Sequence, residues 1–191
     1  TIPDLEAQAL ELIRRATSRL PADVTAALKS GLSQEAKGSA ASATLGTILE
    51  NVSLAADAST PICQDTGTPI FFVKHPWDYP VAPIKEALTE ATREATAQNY
   101  LRPNAVDPVS GANSGDCTGD HFPAFYFEQW DREDELHFDL LLKGGGSENQ
   151  SAQYALPQTI LGAGRDLDGV RRVVLDAVVN AQGQGCGPGI L

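Results

Sequence analysis

TPICQDTGTPIFFVKH, residues 60–75, is a polar turn followed by an apolar run. The run PIFFVKH, residues 69–75, is rich in aromatic and branched side chains, which predicts a short strand. The turn before it places a thiol, an amide and a carboxylate in consecutive positions, at Cys63, Gln64 and Asp65. The segment therefore predicts a strand whose preceding loop carries reactive side chains.

Helical patterns lie on both sides of this strand. Apolar residues recur on one helical face between Leu5 and Leu20. Pro21 suits the first position of a second helix, and Ser33 is predicted to cap a third. The first 58 residues are therefore predicted to be helical. Periodic apolar residues predict two more helices, over residues 81–100 and near residues 168–182.

Two further apolar runs predict strands, PAFYFEQW at residues 123–130 and ELHFDLLL at residues 135–142. The second alternates between apolar and polar residues, as a half-buried strand does. The acidic connection between them suits a hairpin loop, so the two strands are predicted to pair with each other. The expected fold class is mixed α/β, in one domain over residues 1–191. Its helical N-terminal region is expected to pack on a small mixed or antiparallel sheet, with functional loops at strand and helix ends.

The charge balance limits the partners of the chain. Its 14 basic and 25 acidic residues give a net charge of −11. Such a field opposes the binding of nucleic acid phosphates and of anionic membrane surfaces. The sequence has no apolar run of the length that a transmembrane helix needs. We therefore expect no nucleic acid and no membrane partner, and a cytoplasmic location.

The three cysteines, at positions 63, 117 and 186, differ in their surroundings. Cys63 and Cys186 lie in glycine-containing turns, where exposed backbone N–H groups favour a thiolate or a metal-bound sulfur. Both are therefore predicted metal ligands. Cys117 also lies in a turn-rich loop, but the flanking Asp116 and Asp120 disfavour a thiolate there.

Two cations accompany these cysteines. Lys143 is followed by three glycines and a serine directly after an apolar strand, which predicts a cradle for an anion, with a flexible turn as the plain alternative. Arg102 opens the long polar loop of residues 101–123 and is suited to binding a carboxylate, although a lone arginine is commonly a surface residue. The histidines have no ligand spacing. Together these features predict a small anion held beside a thiolate-bound metal centre, with Asp65 within reach as acid or base.

Four motifs in this order carry a resemblance to a known family. They are ICQDTG, NAVDPVSGANSGD, LLKGGGSENQSAQYALP and AQGQGCGPGIL. Together they resemble the N-terminal (alpha) part of class I, iron–sulfur fumarate hydratases and of the related L-tartrate dehydratase alpha subunits. The resemblance runs from about residue 60 to Leu191 and also suits the helical N-terminus.

The resemblance implies an enzyme with a [4Fe–4S] cluster held by three cysteines, one iron of which acts as a Lewis acid. By similarity, Cys63 and Cys186 are cluster ligands, and the third ligand lies beyond Leu191. Cys117 is an alternative ligand, because three thiolates are what such a cluster needs. Asp65 is the candidate proton donor. The matching substrate positions are Gln64, Arg102, Lys143 and Gly146.

The family implies fumarate hydration to L-malate, and residues 59–191 as the cluster- and substrate-binding region. Its members need a beta-type C-terminal domain or subunit, so we expect the chain to be inactive alone and the complete enzyme to be a homodimer or heterotetramer. Two alternatives stay open. One is a dehydratase of L-tartrate or a related hydroxydicarboxylate, and the other is a cluster-free assembly or binding subunit of the same fold.

Overall fold

The structure is a computed structural model, and it describes residues 4–63, 65–132, 134–144 and 151–181. The chain forms two compact units, Thr1–Gly144 and Gly145–Leu191. The prediction of a single domain over residues 1–191 stays a prediction. Gln64, Gly146 and Cys186 lie outside the described residues, so their predicted roles carry no structural account.

The described residues contain five helices and three strands, which makes the chain a mixed α/β protein, as predicted. In chain order they are α1 (Leu5–Ser18), α2 (Ala22–Gln34), α3 (Ala40–Ala58), β1 (Thr68–Pro76), α4 (Val81–Ala97), β2 (Ala124–Trp130), β3 (His137–Lys143) and α5 (Leu167–Ala181).

The strands form one sheet in the order β2-β1-β3. Strand β1 runs parallel to β2, with Phe71 opposite Phe125, and antiparallel to β3, with Phe71 opposite Leu140. The predicted hairpin between β2 and β3 is therefore wrong, because β1 lies between them. The central position goes to β1 since it carries the most buried strand residues, Phe71 and Val73 at 0% and 1% exposure.

One face of the sheet forms the core of the first unit. Phe71 stacks on Phe125, with ring centroids 5.8 Å apart, and α1 and α4 contribute Ile13, Ile84 and Leu88 to the same cluster. Each of these three aliphatic residues is fully buried. Burying such a side chain contributes about 1.5–3 kcal/mol, so the helices and the sheet stabilise each other through this face. This confirms the expected packing of the helical N-terminal region on the sheet.

Helix α3 begins later than the sequence predicts. Ser39 is its N-cap, and the Ser39 hydroxyl accepts the Ser42 N–H at 3.0 Å. Ser33 lies inside α2, where its hydroxyl donates to the Ser30 carbonyl at 2.7 Å. The predicted cap at Ser33 is wrong because Ser39 also offers a capping hydroxyl and stands directly before the first residue of α3, Ala40.

The second unit contains α5, which lies within one residue of its predicted bounds. Tyr154 lies upstream of this helix, and its hydroxyl donates to the Asp176 carboxylate at 2.6 Å. That hydrogen bond comes first among the causes that raise the pKa of Tyr154. The contact fixes the segment before the helix on the helix surface.

Candidate active site

A cleft of roughly 540 Å³ contains two of the predicted site residues, Cys63 and Arg102. Both are exposed, so the thiol and the guanidinium are open to a ligand. The remaining lining residues come from α3, from the segment after it and from the segment after α4, namely Asn51, Pro61, Ile62, Asn99, Leu101 and Pro103. A cysteine and an arginine that sequence separates by 39 positions thus share one surface.

The segment that carries Cys63 is fixed by both polar backbone groups of Ile62. The Ile62 N–H donates to the Thr17 carbonyl at the end of α1, at 2.9 Å. The Ile62 carbonyl accepts from the Asn51 amide on α3, also at 2.9 Å. Two helices therefore hold the residue next to Cys63, which positions the thiol on a rigid support.

Asp65 lies against a residue that the sequence reasoning missed. The Asn104 amide approaches Asp65 Oδ1 at 3.4 Å, the long end of the hydrogen-bond range. Asn104 stands two positions after Arg102, so one turn presents the cation to the cleft and the amide to the carboxylate. A polar side chain so close to Arg102 in a quoted motif was a usable signal for this residue.

The backbone of Gly67 lies close to the end of β3. Gly67 has a φ of +89°, and a Cβ built on it would lie 2.4 Å from the Lys143 carbonyl carbon. A Cβ on Gly144 would lie 2.8 Å from Asp65 Oδ2. The register explains this proximity, because Thr68 pairs with Lys143 at the end of the antiparallel ladder. Neither glycine has room for a side chain, and the turn that carries Asp65 therefore lies against the end of β3 that carries Lys143.

The long polar loop that carries Arg102 and Asn104 is built from ordered turns. The Asp107 carboxylate accepts the Val109 and Ser110 N–H groups at 2.7 and 3.2 Å. These backbone hydrogen bonds, the Val109 one first, hold the pKa of Asp107 below its usual value. The Asn113 amide donates to the Pro103 carbonyl at 2.7 Å, which ties the far side of the loop to the Arg102 turn.

Cys117 differs from Cys63 in its burial. It is 1% exposed and belongs to the core cluster. Its thiol donates to the Arg102 carbonyl oxygen at a Sγ–O distance of 2.8 Å. The described part of the chain thus offers one exposed thiol and one buried thiol that already has a partner.

The donor set of the described residues can be compared with what a cluster requires. Within these residues, no group of three or more His, Cys, Asp or Glu side chains could hold a metal ion. Cys63 is an exposed thiol in a cleft and fits the role of one cluster ligand. Its predicted companion, Cys186, lies outside the described residues. The described residues therefore supply one of the ligands that a cluster needs.

Thr66, between Asp65 and Gly67, is 8% exposed, and its hydroxyl has no hydrogen-bond partner among the described residues. We expect Thr66→Val to keep or raise the free energy of unfolding, by up to roughly 1–3 kcal/mol, because a buried hydroxyl without a partner costs about that much. Urea denaturation measures the change. Thr66→Ser keeps the hydroxyl, loses a methyl group and should not stabilise. A clear loss of stability in Thr66→Val would show that the hydroxyl has a partner after all.

No helix in the described ranges combines the length and apolar character that crossing a bilayer would require.

Comparison with known proteins places this site in context. The family model for fumarate hydratase (Fumerase) matches residues 6–191. A protein named as a class I fumarate hydratase from Geobacillus stearothermophilus is 45% identical over 184 residues, which cover 95% of this chain and 36% of that relative.

Two tartrate dehydratase alpha subunits are also similar. The one from Methanocaldococcus jannaschii is 34% identical over 185 residues, 94% of this chain and 62% of that relative. The one from Escherichia coli K12 is 32% identical over 131 residues, 68% of this chain and 43% of that relative. The chain thus spans between about a third and three fifths of the length of these relatives. A family match over nearly the whole sequence shows that this chain belongs to the fumarate hydratase family.

Proposed function

We propose that this chain is the alpha part of an iron–sulfur hydro-lyase that reversibly hydrates fumarate to L-malate. One observation carries the proposal most. Asp65, two positions after Cys63, lies close to the Asn104 amide and to Gly144, the residue after Lys143. Cys63 itself shares a cleft with Arg102. This arrangement combines cations for a dianion, a carboxylate for proton transfer and a thiol for a metal ligand.

Arg102 and Lys143 bind the two carboxylates of the substrate in this proposal. Arg102 presents a planar fork of donors to the cleft, and Lys143 supplies a point charge beside the glycine-rich turn. In a chain with a net charge of −11, a dianion needs such local cations to enter. The run of glycines after Lys143 would complete the cradle, because glycine lets the backbone approach a ligand closely.

Asp65 moves the proton. The Asn104 amide contacts Oδ1 of Asp65, which orients the carboxyl group in the site. The family resemblance makes Asp65 the proton donor, and its position on the turn before β1 supports this role. Gln64 and Gly146, both outside the described residues, complete the proposed substrate contacts.

Cys63 and Cys186 would hold the cluster, with the third ligand outside this sequence. When bound, the cluster supplies a Lewis acid for the hydroxyl and carboxylate of malate. The buried position and hydrogen bond of Cys117 support its exclusion from the ligand set.

The complete enzyme would include a beta-type domain or subunit. Relatives named as alpha subunits of tartrate dehydratases support a multi-subunit arrangement. We propose a homodimer or heterotetramer in which residues 1–191 act as a single alpha-type domain, inactive without its partner.

A second candidate function is dehydration of L-tartrate or a related hydroxydicarboxylate. It is favoured by the relatives named as tartrate dehydratase alpha subunits, of which one is 34% identical. The residues proposed here bind carboxylates, which fumarate, malate and tartrate all carry. A cluster-free assembly subunit is the third candidate, and the open Cys63 cleft speaks against it.

A substrate panel tests the proposal. The complete enzyme, purified anaerobically and reconstituted with iron and sulfide, is assayed with fumarate, L-tartrate and mesaconate. We expect a brown protein with the highest kcat/KM for fumarate. Preference for L-tartrate would establish the second candidate. A colourless, inactive protein after reconstitution would favour the assembly subunit.

Arg102→Ala and Lys143→Ala test the carboxylate contacts. Each removes a charge-assisted hydrogen bond worth roughly 1.5–3 kcal/mol, so we expect kcat/KM to fall by about one to two orders of magnitude. The iron content should be unchanged, because neither side chain is a proposed ligand. Exposed Arg171 serves as a matched control, and Arg171→Ala should leave kcat/KM unchanged. Wild-type kcat/KM in Lys143→Ala would contradict the anion cradle.

A further inference from the structure

The Arg102 carbonyl accepts two hydrogen bonds. One comes from the Cys117 thiol, at a Sγ–O distance of 2.8 Å, and the other from the Asn104 N–H, also at 2.8 Å. The carbonyl of Arg102 is therefore bonded both to the buried Cys117 thiol and to the backbone of Asn104, the residue whose side-chain amide contacts Asp65. A shift of this one carbonyl would move both Arg102 and Asn104.

The backbone at Cys117 is strained for a residue with a side chain. Its φ is +59°, in the left-handed region where a Cβ is disfavoured. A glycine would adopt this conformation without strain, but it would have no donor for the Arg102 carbonyl. The burial and the hydrogen bond of the thiol offset the strain at this position.

Cys117 is fixed from the other side by α4. The Asp116 carbonyl accepts from the Thr96 hydroxyl at 3.1 Å, and the Asp116 carboxylate lies 3.3 Å from Arg93 Nε. Burial acts to raise the pKa of Asp116, but hydrogen bonds from Thr118 and Ser114, with the charge of Arg93, outweigh it and lower this pKa. Asp116 stays ionised at neutral pH and holds the Cys117 turn on the helix.

We propose that Cys117 is a positioning residue of the carboxylate-binding site. Its thiol transmits the rigid position of α4 to the Arg102 carbonyl, and so sets the Arg102 guanidinium and the Asn104 amide relative to Cys63 and Asp65. The inference rests on the proposed function of Arg102, and it gives the buried thiol a role other than metal ligation.

The test compares Cys117→Ala and Cys117→Ser in the complete, reconstituted enzyme. Alanine removes the donor, whereas serine keeps a hydroxyl donor at the same position. We expect Cys117→Ala to raise KM and the Ki of succinate by roughly fivefold to tenfold, with kcat and iron content within about twofold of wild type. Cys117→Ser should restore most of the loss. Hydrogen exchange at the Asn104 amide should be faster in Cys117→Ala than in wild type.

Ile84→Val is the matched control, because it also removes one heavy atom from the same core cluster. It should lower stability without changing KM. If Cys117→Ala also lowers stability only, the thiol has a structural role and the inference is overturned. If both Cys117 variants lose the cluster iron, Cys117 is a ligand and the inference is equally overturned.

Arg102→Ala in the same assay separates this inference from the proposed function. A high KM in Arg102→Ala with a normal KM in Cys117→Ala overturns the inference alone. A normal KM in both variants overturns the role of Arg102 as well.

Discussion

Cys63→Ser should remove most of the cluster iron and nearly all activity from the complete enzyme. The exposed Cys63 thiol lies in the cleft with Arg102, and a serine hydroxyl is a much poorer ligand for iron than a thiolate. Anaerobic purification, reconstitution and iron determination measure the loss, together with the absorbance of the bound cluster and the rate of fumarate hydration.

Cys117→Ser is the matched control for this prediction. It makes the same change of sulfur to oxygen at a buried cysteine whose thiol contacts the Arg102 carbonyl. It should keep the iron and most of the activity. Full iron and normal activity in Cys63→Ser would contradict the ligand assignment. Equal loss of iron in both variants would identify Cys117 as a further ligand.

Gly67→Ala should prevent the first unit from folding normally. The added Cβ would lie 2.4 Å from the Lys143 carbonyl carbon and 2.6 Å from the Gly144 nitrogen, and both are backbone atoms. The φ of +89° adds strain to the clash. We expect a loss of roughly 3 kcal/mol or more, or no soluble folded protein. Circular dichroism and urea denaturation measure the effect.

Alanine substitutions at two other glycines measure the cost of backbone strain apart from the cost of a steric clash. Gly38 has a φ of +82° with nothing within 4 Å of its built Cβ, so Gly38→Ala should cost only the strain, about 1 kcal/mol. Gly46 lies inside α3 with open space, and Gly46→Ala should stabilise by up to about 1 kcal/mol. If Gly67→Ala cost no more than Gly38→Ala, the close approach of Gly67 to the end of β3 would be wrong.

Periodicity and composition predicted the elements of this fold well. The run PIFFVKH lies inside β1, and the helix predicted over residues 81–100 is α4, Val81–Ala97. The pairing of the strands was not predictable in the same way. Alternation indicates which face of a strand is buried, but it does not say which strand is its neighbour. The acidic loop therefore suggested a hairpin, although β1 lies between β2 and β3.

The candidate site shows the same limit. Cys63, Asp65, Arg102 and Lys143 stood out by residue type and turn context. Asn104 opens the motif NAVDPVSGANSGD, but its contact with Asp65 spans 39 positions of sequence, and residue type alone does not indicate it. The burial of Cys117 and its contact with the Arg102 carbonyl were also not predictable from the sequence, because both depend on tertiary structure.

The most direct test of the central claim, that Arg102 and Lys143 bind the two carboxylates of one substrate, is a ratio of inhibition constants. The Ki of succinate and of butyrate is measured against fumarate for the complete enzyme and for Arg102→Ala and Lys143→Ala. The wild type should prefer the dicarboxylate strongly. Each variant should lose roughly tenfold or more of this preference. Butyrate has a single carboxylate and needs only the cation that remains, whereas succinate loses one of its two contacts. An unchanged ratio in both variants would contradict the account.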